Sequence, residues 1–392
     1  MKQTSRFYLI VLAAFSLIIS ACNDPSPATP GYETEIDEQA LDLKLGIELQ
    51  AIFHQHPESN GMLLCVESKD NNLNSMVAVG KSEKGGNSMS PNQVILIASN
   101  TKTYVSAAIL RLTELKGLNI DASIEKYISA KSAAILSKRG YNLKEISIAH
   151  LLSHTSGIRD YAGDEQYMQM IKADPTHRWS RDEQIQLATQ FGDPHGQPGW
   201  GFAYADVNYL LATEIIEQQT GLPFYTAMRE LLKYDELGLH KTWFYTLEAV
   251  PSGAEALAHQ YWTSEGIDNH KVDPSFDLFG GGGIAATARD MTTFTQALFT
   301  GKVFDHRETL ELMKRKMPMD QGENPHYYLG LSESTIAKHT AIGHGGFWVT
   351  SSMYFPELET SIGVAIMDRD AKALRKNVFE MTVKNIVETK NK

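Results

Sequence analysis

Val94-Ile95-Leu96-Ile97-Ala98-Ser99-Asn100-Thr101-Lys102 is the stretch on which the reading of this 392-residue chain turns. The apolar run Val94 to Ala98 has the length and composition of a buried strand. After it, Val105, Ala108, Ile109 and Leu112 fall at helical spacing and form one stripe. Ser99 sits at the mouth of that helix, and Lys102 lies one turn further on the same face. A helix start supplies free backbone N–H groups and a positive dipole end. The lysine ammonium adds a second positive centre close to the hydroxyl. Both favour a serine alkoxide and the oxyanion that its attack creates. The plainer roles are an N-cap for the serine and a solvated helix face for the lysine.

Taken alone the pattern is common, because a chain this long holds roughly one or two Ser-x-x-Lys strings by chance. A second one is present, Ser123-Ile124-Glu125-Lys126. It follows Asn119-Ile120-Asp121, beyond the helix end predicted at Gly117, with no strand before it. It reads as a surface helix start.

Two further pieces give the first string its context. Tyr204 lies in Phe202-Ala203-Tyr204-Ala205-Asp206, just ahead of the helical run Tyr209 to Ile216. His344 lies in Gly343-His344-Gly345-Gly346-Phe347, ahead of a strand-like run ending at Phe355. The order Ser-x-x-Lys, Tyr, His-x-Gly resembles the serine β-lactamase and penicillin-binding superfamily. Within it the chain is similar to the branch of class C β-lactamases, D-alanyl-D-alanine carboxypeptidases and related esterases. Ile146-Ser147-Ile148-Ala149-His150-Leu151-Leu152-Ser153-His154-Thr155-Ser156-Gly157 and the stretch Gly281 to Asp290 carry the same resemblance, which covers roughly residues 45 to 385.

The resemblance implies an α+β fold, with an antiparallel sheet flanked by helices and an inserted helical lobe. It implies Ser99 as nucleophile, with Lys102 either a neutral base or an ammonium that stabilises the alkoxide. Tyr204 would carry a proton from Ser99 to the leaving group and later activate water. His344 falls where many relatives have a lysine, and its imidazole would donate to a substrate carboxylate or to Tyr204. Phe347 would give a backbone N–H to the oxyanion hole beside that of Ser99. Gly345 and Gly346 would let the strand approach the substrate closely. Asp206 departs from the family's Tyr-x-Asn; it keeps the shape but adds charge and removes N–H donors. His154 and Trp200 read as structural.

The ends carry separate signals. Lys2 and Arg6, the apolar run Phe7 to Ile19, and Ser20-Ala21-Cys22 form a secretory signal. Ile19-Ser20-Ala21-Cys22 resembles a bacterial lipobox, which would make Cys22 the lipidated first residue of the mature chain; an ordinary cleaved signal is the alternative. The expected organisation is a signal over 1–21, a flexible tether over 22–44 and a hydrolase domain over 45–392. The net charge of −11 argues against a nucleic-acid surface. The chain has 2 cysteines, and with Cys22 lipidated Cys65 is alone, a buried thiol in the apolar run Met62 to Val66. No His-Glu-x-x-His or Cys/His cluster points to a metal, and no phosphate-cradling loop to a cofactor.

Strand signals gather at Gly61 to Val66, Ser75 to Val79, Phe347 to Phe355 and Ser361 to Met367, the last two joined as a hairpin at Pro356 to Glu359. The stretch from about 119 to 261 is mostly helical, and Asp370 to Glu388 is amphipathic. The expected protein is a serine hydrolase of the bacterial envelope, lipid-anchored and facing the periplasm or exterior. Its substrates would be esters, amides or D-amino-acid peptides, without cofactor. A slowly acylating binding or sensor protein is the rival.

Overall fold

The structure, a computed structural model, describes residues 38–68 and 73–390. Helix α1 (Glu38–Gln55) leads into strands β1 (Gly61–Ser68), β2 (Leu73–Gly80) and β3 (Val94–Leu96). Helix α2 (Thr101–Lys116) follows, then α3 (Ala130–Lys138), α4 (Ile148–Leu152), α5 (Glu165–Ala173), α6 (Arg181–Gln190), α7 (Val207–Thr220) and α8 (Phe224–Leu231). Short strands β4 (Trp243–Phe244), β5 (Tyr261–Trp262), β6 (Ile267–Asp268) and β7 (Ile284–Thr287) lead to α9 (Ala288–Phe299) and α10 (Arg307–Met313). The chain closes with β8 (Ser332–Ile336), β9 (His339–Gly345), β10 (Thr350–Phe355), β11 (Thr360–Ile366) and α11 (Leu374–Lys390).

Both ends of this order meet in one antiparallel sheet, β2-β1-β11-β10-β9-β8. In its centre Met62 lies opposite Ile366 and Leu64 opposite Val364. Alternate side chains leave opposite faces of a strand. Met62, Leu64 and Val66 therefore pack with Leu41, Leu45 and Leu49 of α1 and Val378 of α11. Leu63 and Cys65 join the second core, with Val105 of α2 and Phe294 of α9. Both faces of β1 are covered, so its sequence is continuously apolar rather than alternating. Burial pushes the Cys65 thiol up to about 12, as suits an inert structural cysteine.

Three local expectations change. Residues 38–44, expected as tether, are the first turns of α1; Leu41 and Leu45 bury against the sheet and fix the helix there. The run from Phe347 becomes strand only at Thr350, because Val349 at φ 58° turns the chain first. His344 does not precede the strand but lies in one: β9 pairs with β8 and β10, with His344 opposite Ser352. Its mixed composition hid a strand that exists because both its edges are paired.

Residues 119–261 hold α3 to α8, and this helical layer covers α2 from the side away from the sheet. Val105, Ala108, Ile109 and Leu112 are buried, but so are Tyr104, Ala107 and Leu110. The helix that carries Lys102 is therefore central rather than amphipathic. It ends at Gly117, whose φ of 65° forms the left-handed cap.

Candidate active site

β3 and α2 are joined by a 3₁₀ turn, Ala98–Asn100, that holds Ser99. Ala98 has φ 47°, a left-handed conformation that strains a non-glycine residue. Ser99 does not cap the helix; the N-cap position is Asn100, whose amide reaches Ile97 O and Thr350 Oγ1 at 2.7 and 2.9 Å. The hydroxyl is thus left for other work, and it lines a cavity of about 450 Å³.

One helical turn on, Lys102 is completely buried. Its Nζ donates to Ser99 Oγ at 3.1 Å and to Gly281 O at 2.5 Å, and lies 2.6 Å from Asp206 Oδ1. Burial opposes its charge, but the neighbouring Asp206, Tyr204 and Asp277 outweigh that and hold it above its usual value. The lysine is an ammonium here. The ion pair with Asp206 decides between the two states that the sequence left open.

Tyr204 precedes α7 and lies with its ring 4.9 Å from Lys102 Nζ. It keeps 37% of its surface exposed, toward the cavity that it lines. Its phenol is pushed up to about 12, first by desolvation and then by Asp206, against the pull of Lys102. Asp206 starts α7 without capping it, since its carboxylate turns to Lys102 instead.

Sequence reading missed two more carboxylates. The Asp160 carboxylate accepts the Asp206 N–H at 2.8 Å and the Gly163 N–H at 2.7 Å. Asp277 lines the same cavity. Burial pushes both up, and the Asp206 charge adds to it. A signal for Asp277 does exist in the glycine run: a Cβ on Gly282 would collide with its carboxylate. Those glycines make room for carboxylates around Lys102.

His344 is buried and also borders the cavity. Its Nδ1 donates to Gly345 O at 2.7 Å, which leaves Nε2 to accept from Tyr327 O–H at 3.0 Å. Burial, then the Lys102 charge, pushes the imidazole down to about 3. This corrects the expected donor role: the ring is neutral and its one N–H is already engaged. We expect the His344 ring proton shifts to stay flat from pH 5 to 8 in an NMR titration; an inflection in that range would contradict this environment. The positive charge absent at His344 enters from the C-terminal segment, where Arg369 and Arg375 line the cavity.

Gly346 donates its N–H to Thr350 O at 2.7 Å, and a Cβ there would strike Ile97 O. Its small size serves the junction with the Ser99 turn, and the residue also lines the cavity. Phe347 lines the cavity, and its N–H has no hydrogen-bond partner among the described residues. Its carbonyl accepts from Arg369 at 2.6 Å, and the guanidinium lies 4.1 Å from its ring. Cys22 lies outside the described residues. Among the described residues no His, Cys, Asp and Glu side chains are grouped to hold a metal ion.

A serine on a strained turn, with an ammonium on its hydroxyl and a tyrosine beside both at the same cavity, is equipped for acyl transfer. The Beta-lactamase family model matches residues 49–376. The chain belongs to the beta-lactamase family. A penicillin-binding protein of Bacillus subtilis is 21% identical over 270 residues, 66% of this chain and 56% of its own length. A candidate D-alanyl-D-alanine carboxypeptidase of Escherichia coli is 29% identical over 259 residues, 62% of this chain and 56% of its own. The chain thus spans just over half the length of these two relatives. The D-amino acid amidase of Ochrobactrum anthropi, solved with L-phenylalanine amide, superposes with a TM-score of 0.70 at 23% identity, covering 89% of this chain and 98% of that one. That likeness concerns the fold alone.

Proposed function

We propose that this beta-lactamase-family protein is an envelope-anchored hydrolase that forms an acyl-enzyme on Ser99 and acts on esters, amides or D-amino-acid peptides. The observation that carries this reading is the 3.1 Å contact between Lys102 Nζ and Ser99 Oγ beside the cavity. Ser99 Oγ attacks the acyl carbon, and the Lys102 ammonium stabilises the alkoxide character that develops. With Lys102 an ammonium and Tyr204 a phenol, neither is a ready base. Tyr204 acts as a relay: it takes the Ser99 proton while passing its own to the leaving group, and repeats this in reverse with water. The N–H groups of Ser99 and Phe347 receive the oxyanion. The names of the similar amidase and carboxypeptidase support the D-amino-acid side of this range.

The test is turnover by the purified mature protein against p-nitrophenyl esters, D-alanyl-D-alanine peptides and a chromogenic cephalosporin. Esters are expected to lead, because Asp206 offers no N–H to an amide carbonyl. Stoichiometric labelling of Ser99 with no turnover of any of them would favour the slowly acylating binding protein.

The proposed anchor is the lipidated Cys22, with the domain facing the periplasm or exterior. Cys22→Ala is expected to leave the signal uncleaved or to move the protein to the soluble fraction. Unchanged membrane association with no lipid mass on the mature terminus would refute the anchor.

A further inference from the structure

Tyr204 stands on a loop ahead of α7, and a group that relays protons must be held in a fixed place. One residue touches it and both its chain neighbours. His154, on the turn after α4, accepts the Ala203 N–H on its carbonyl at 2.9 Å. Its ring Nδ1 accepts the Ala205 N–H at 3.1 Å, and Asn208 Nδ2 lies 3.2 Å from the same atom. The ring itself lies 4.1 Å from the Tyr204 ring, at 33° between planes.

The histidine holds this position against two penalties. Its φ is 57°, in the left-handed region that glycine and asparagine enter more readily. With donors on Nδ1, the neutral ring keeps its proton on Nε2, and that nitrogen is buried without a partner. Filling space does not account for the ring, since an aliphatic side chain would carry no Nε2–H to orphan and would instead strand the Ala205 N–H. The buried Nε2–H follows if the ring is there for its acceptor.

We propose that His154 is a positioning residue for catalysis, which fixes Tyr204 over Ser99 by binding the backbone on both sides of it. The proposal rests on Tyr204 being the proton relay. It separates two functions of the side chain, an acceptor for Ala205 and a flat surface for the Tyr204 ring. Asparagine keeps the acceptor and tolerates the left-handed backbone. Phenylalanine keeps the ring and removes the acceptor.

The experiment measures the rate of Ser99 labelling by a fluorophosphonate, together with the melting temperature, in the purified protein and its variants. His154→Phe is expected to slow labelling by about 10- to 100-fold, the scale of a misplaced catalytic group. His154→Asn should stay within about threefold of wild type, because the acceptor is retained. In a Tyr204→Phe background, His154→Phe should add less than about twofold, because a residue that acts through Tyr204 is not additive with its loss. His154→Ala serves the same comparison if the phenylalanine variant does not fold. Labelling of His154→Phe within about threefold of wild type would overturn the proposal, as would an undiminished effect in the Tyr204→Phe background, which marks a purely structural residue. If Tyr204→Phe alone labels at the wild-type rate, the relay itself is wrong and the proposal falls with it.

Discussion

Ser99→Ala should lose all labelling by a serine-reactive phosphonate, and its turnover should fall by at least about 10³-fold, as for removal of a covalent nucleophile. The hydroxyl caps no helix, so its removal leaves α2 with the same N-terminal contacts through Asn100. Stability should therefore change little while activity disappears. Ser123→Ala is the control. The Ser123 hydroxyl donates to Leu143 O at 2.8 Å and accepts the Glu125 N–H at 3.1 Å, which are the duties of a turn cap. Its loss should cost about 1 kcal/mol of stability and leave labelling and turnover intact. Intact mass and tryptic mapping after phosphonate treatment would decide it. A labelled peptide from the Ser99→Ala protein would remove Ser99 from the chemistry.

The second large effect concerns the buried pair of Lys102 and Asp206. Removing one partner of a buried ion pair costs about 3–5 kcal/mol, because the other charge is left without compensation. In Lys102→Ala the stranded carboxylate would face Asp160 and Asp277 as well. We therefore expect a loss of stability on that scale and a fall in kcat of about 10²- to 10⁴-fold. The double variant Lys102→Met, Asp206→Asn should regain the stability and not the activity. Urea unfolding and steady-state rates on one ester separate the two; a double variant as unstable as Lys102→Ala would argue against the pair as the cause.

The pair also sets a pH response. Lys102 ionises at higher pH in the fold than in the unfolded chain, so its stabilisation is complete below its unfolded value of 10.5. That stabilisation is lost only as pH rises through the higher folded value. Asp206 raises both Lys102 and Tyr204, so Asp206→Asn should move the basic limb of kcat/KM toward lower pH. The same change supplies an N–H donor and should narrow the preference for esters over cephalosporins. A pH profile and substrate ratio equal to wild type would place Asp206 outside the reaction.

Much of this site was legible because it is written locally. Ser99 and Lys102 are one helical turn apart, a relation fixed by helix geometry before any packing occurs. Tyr204 and Asp206 share one short segment, and the hairpin of β10 and β11 follows from a polar connection between two apolar runs. What failed was whatever depends on an environment. His344 looked like a donor because histidine commonly is one; the carbonyl of Gly345 and the hydroxyl of Tyr327 make it a neutral ring with nothing left to give. Its strand was hidden because β9 owes its form to its two neighbours rather than to its own composition.

The sequence by itself determined the place of the Ser99 turn between strand and helix, its order relative to the tyrosine and histidine segments, the sheet built from both chain ends, and hence the family. Those features rest on spacing along the chain, which the sequence records directly. Only the tertiary structure decided the charge states. Asp206 and Asp277 come from segments 71 residues apart in numbering (277 − 206) and converge on one buried ammonium, with Asp160 held beside Asp206. Burial and Coulomb interactions depend on distance through space, not along the chain, so the choice of ammonium over amine at Lys102 could not be read until those segments were placed.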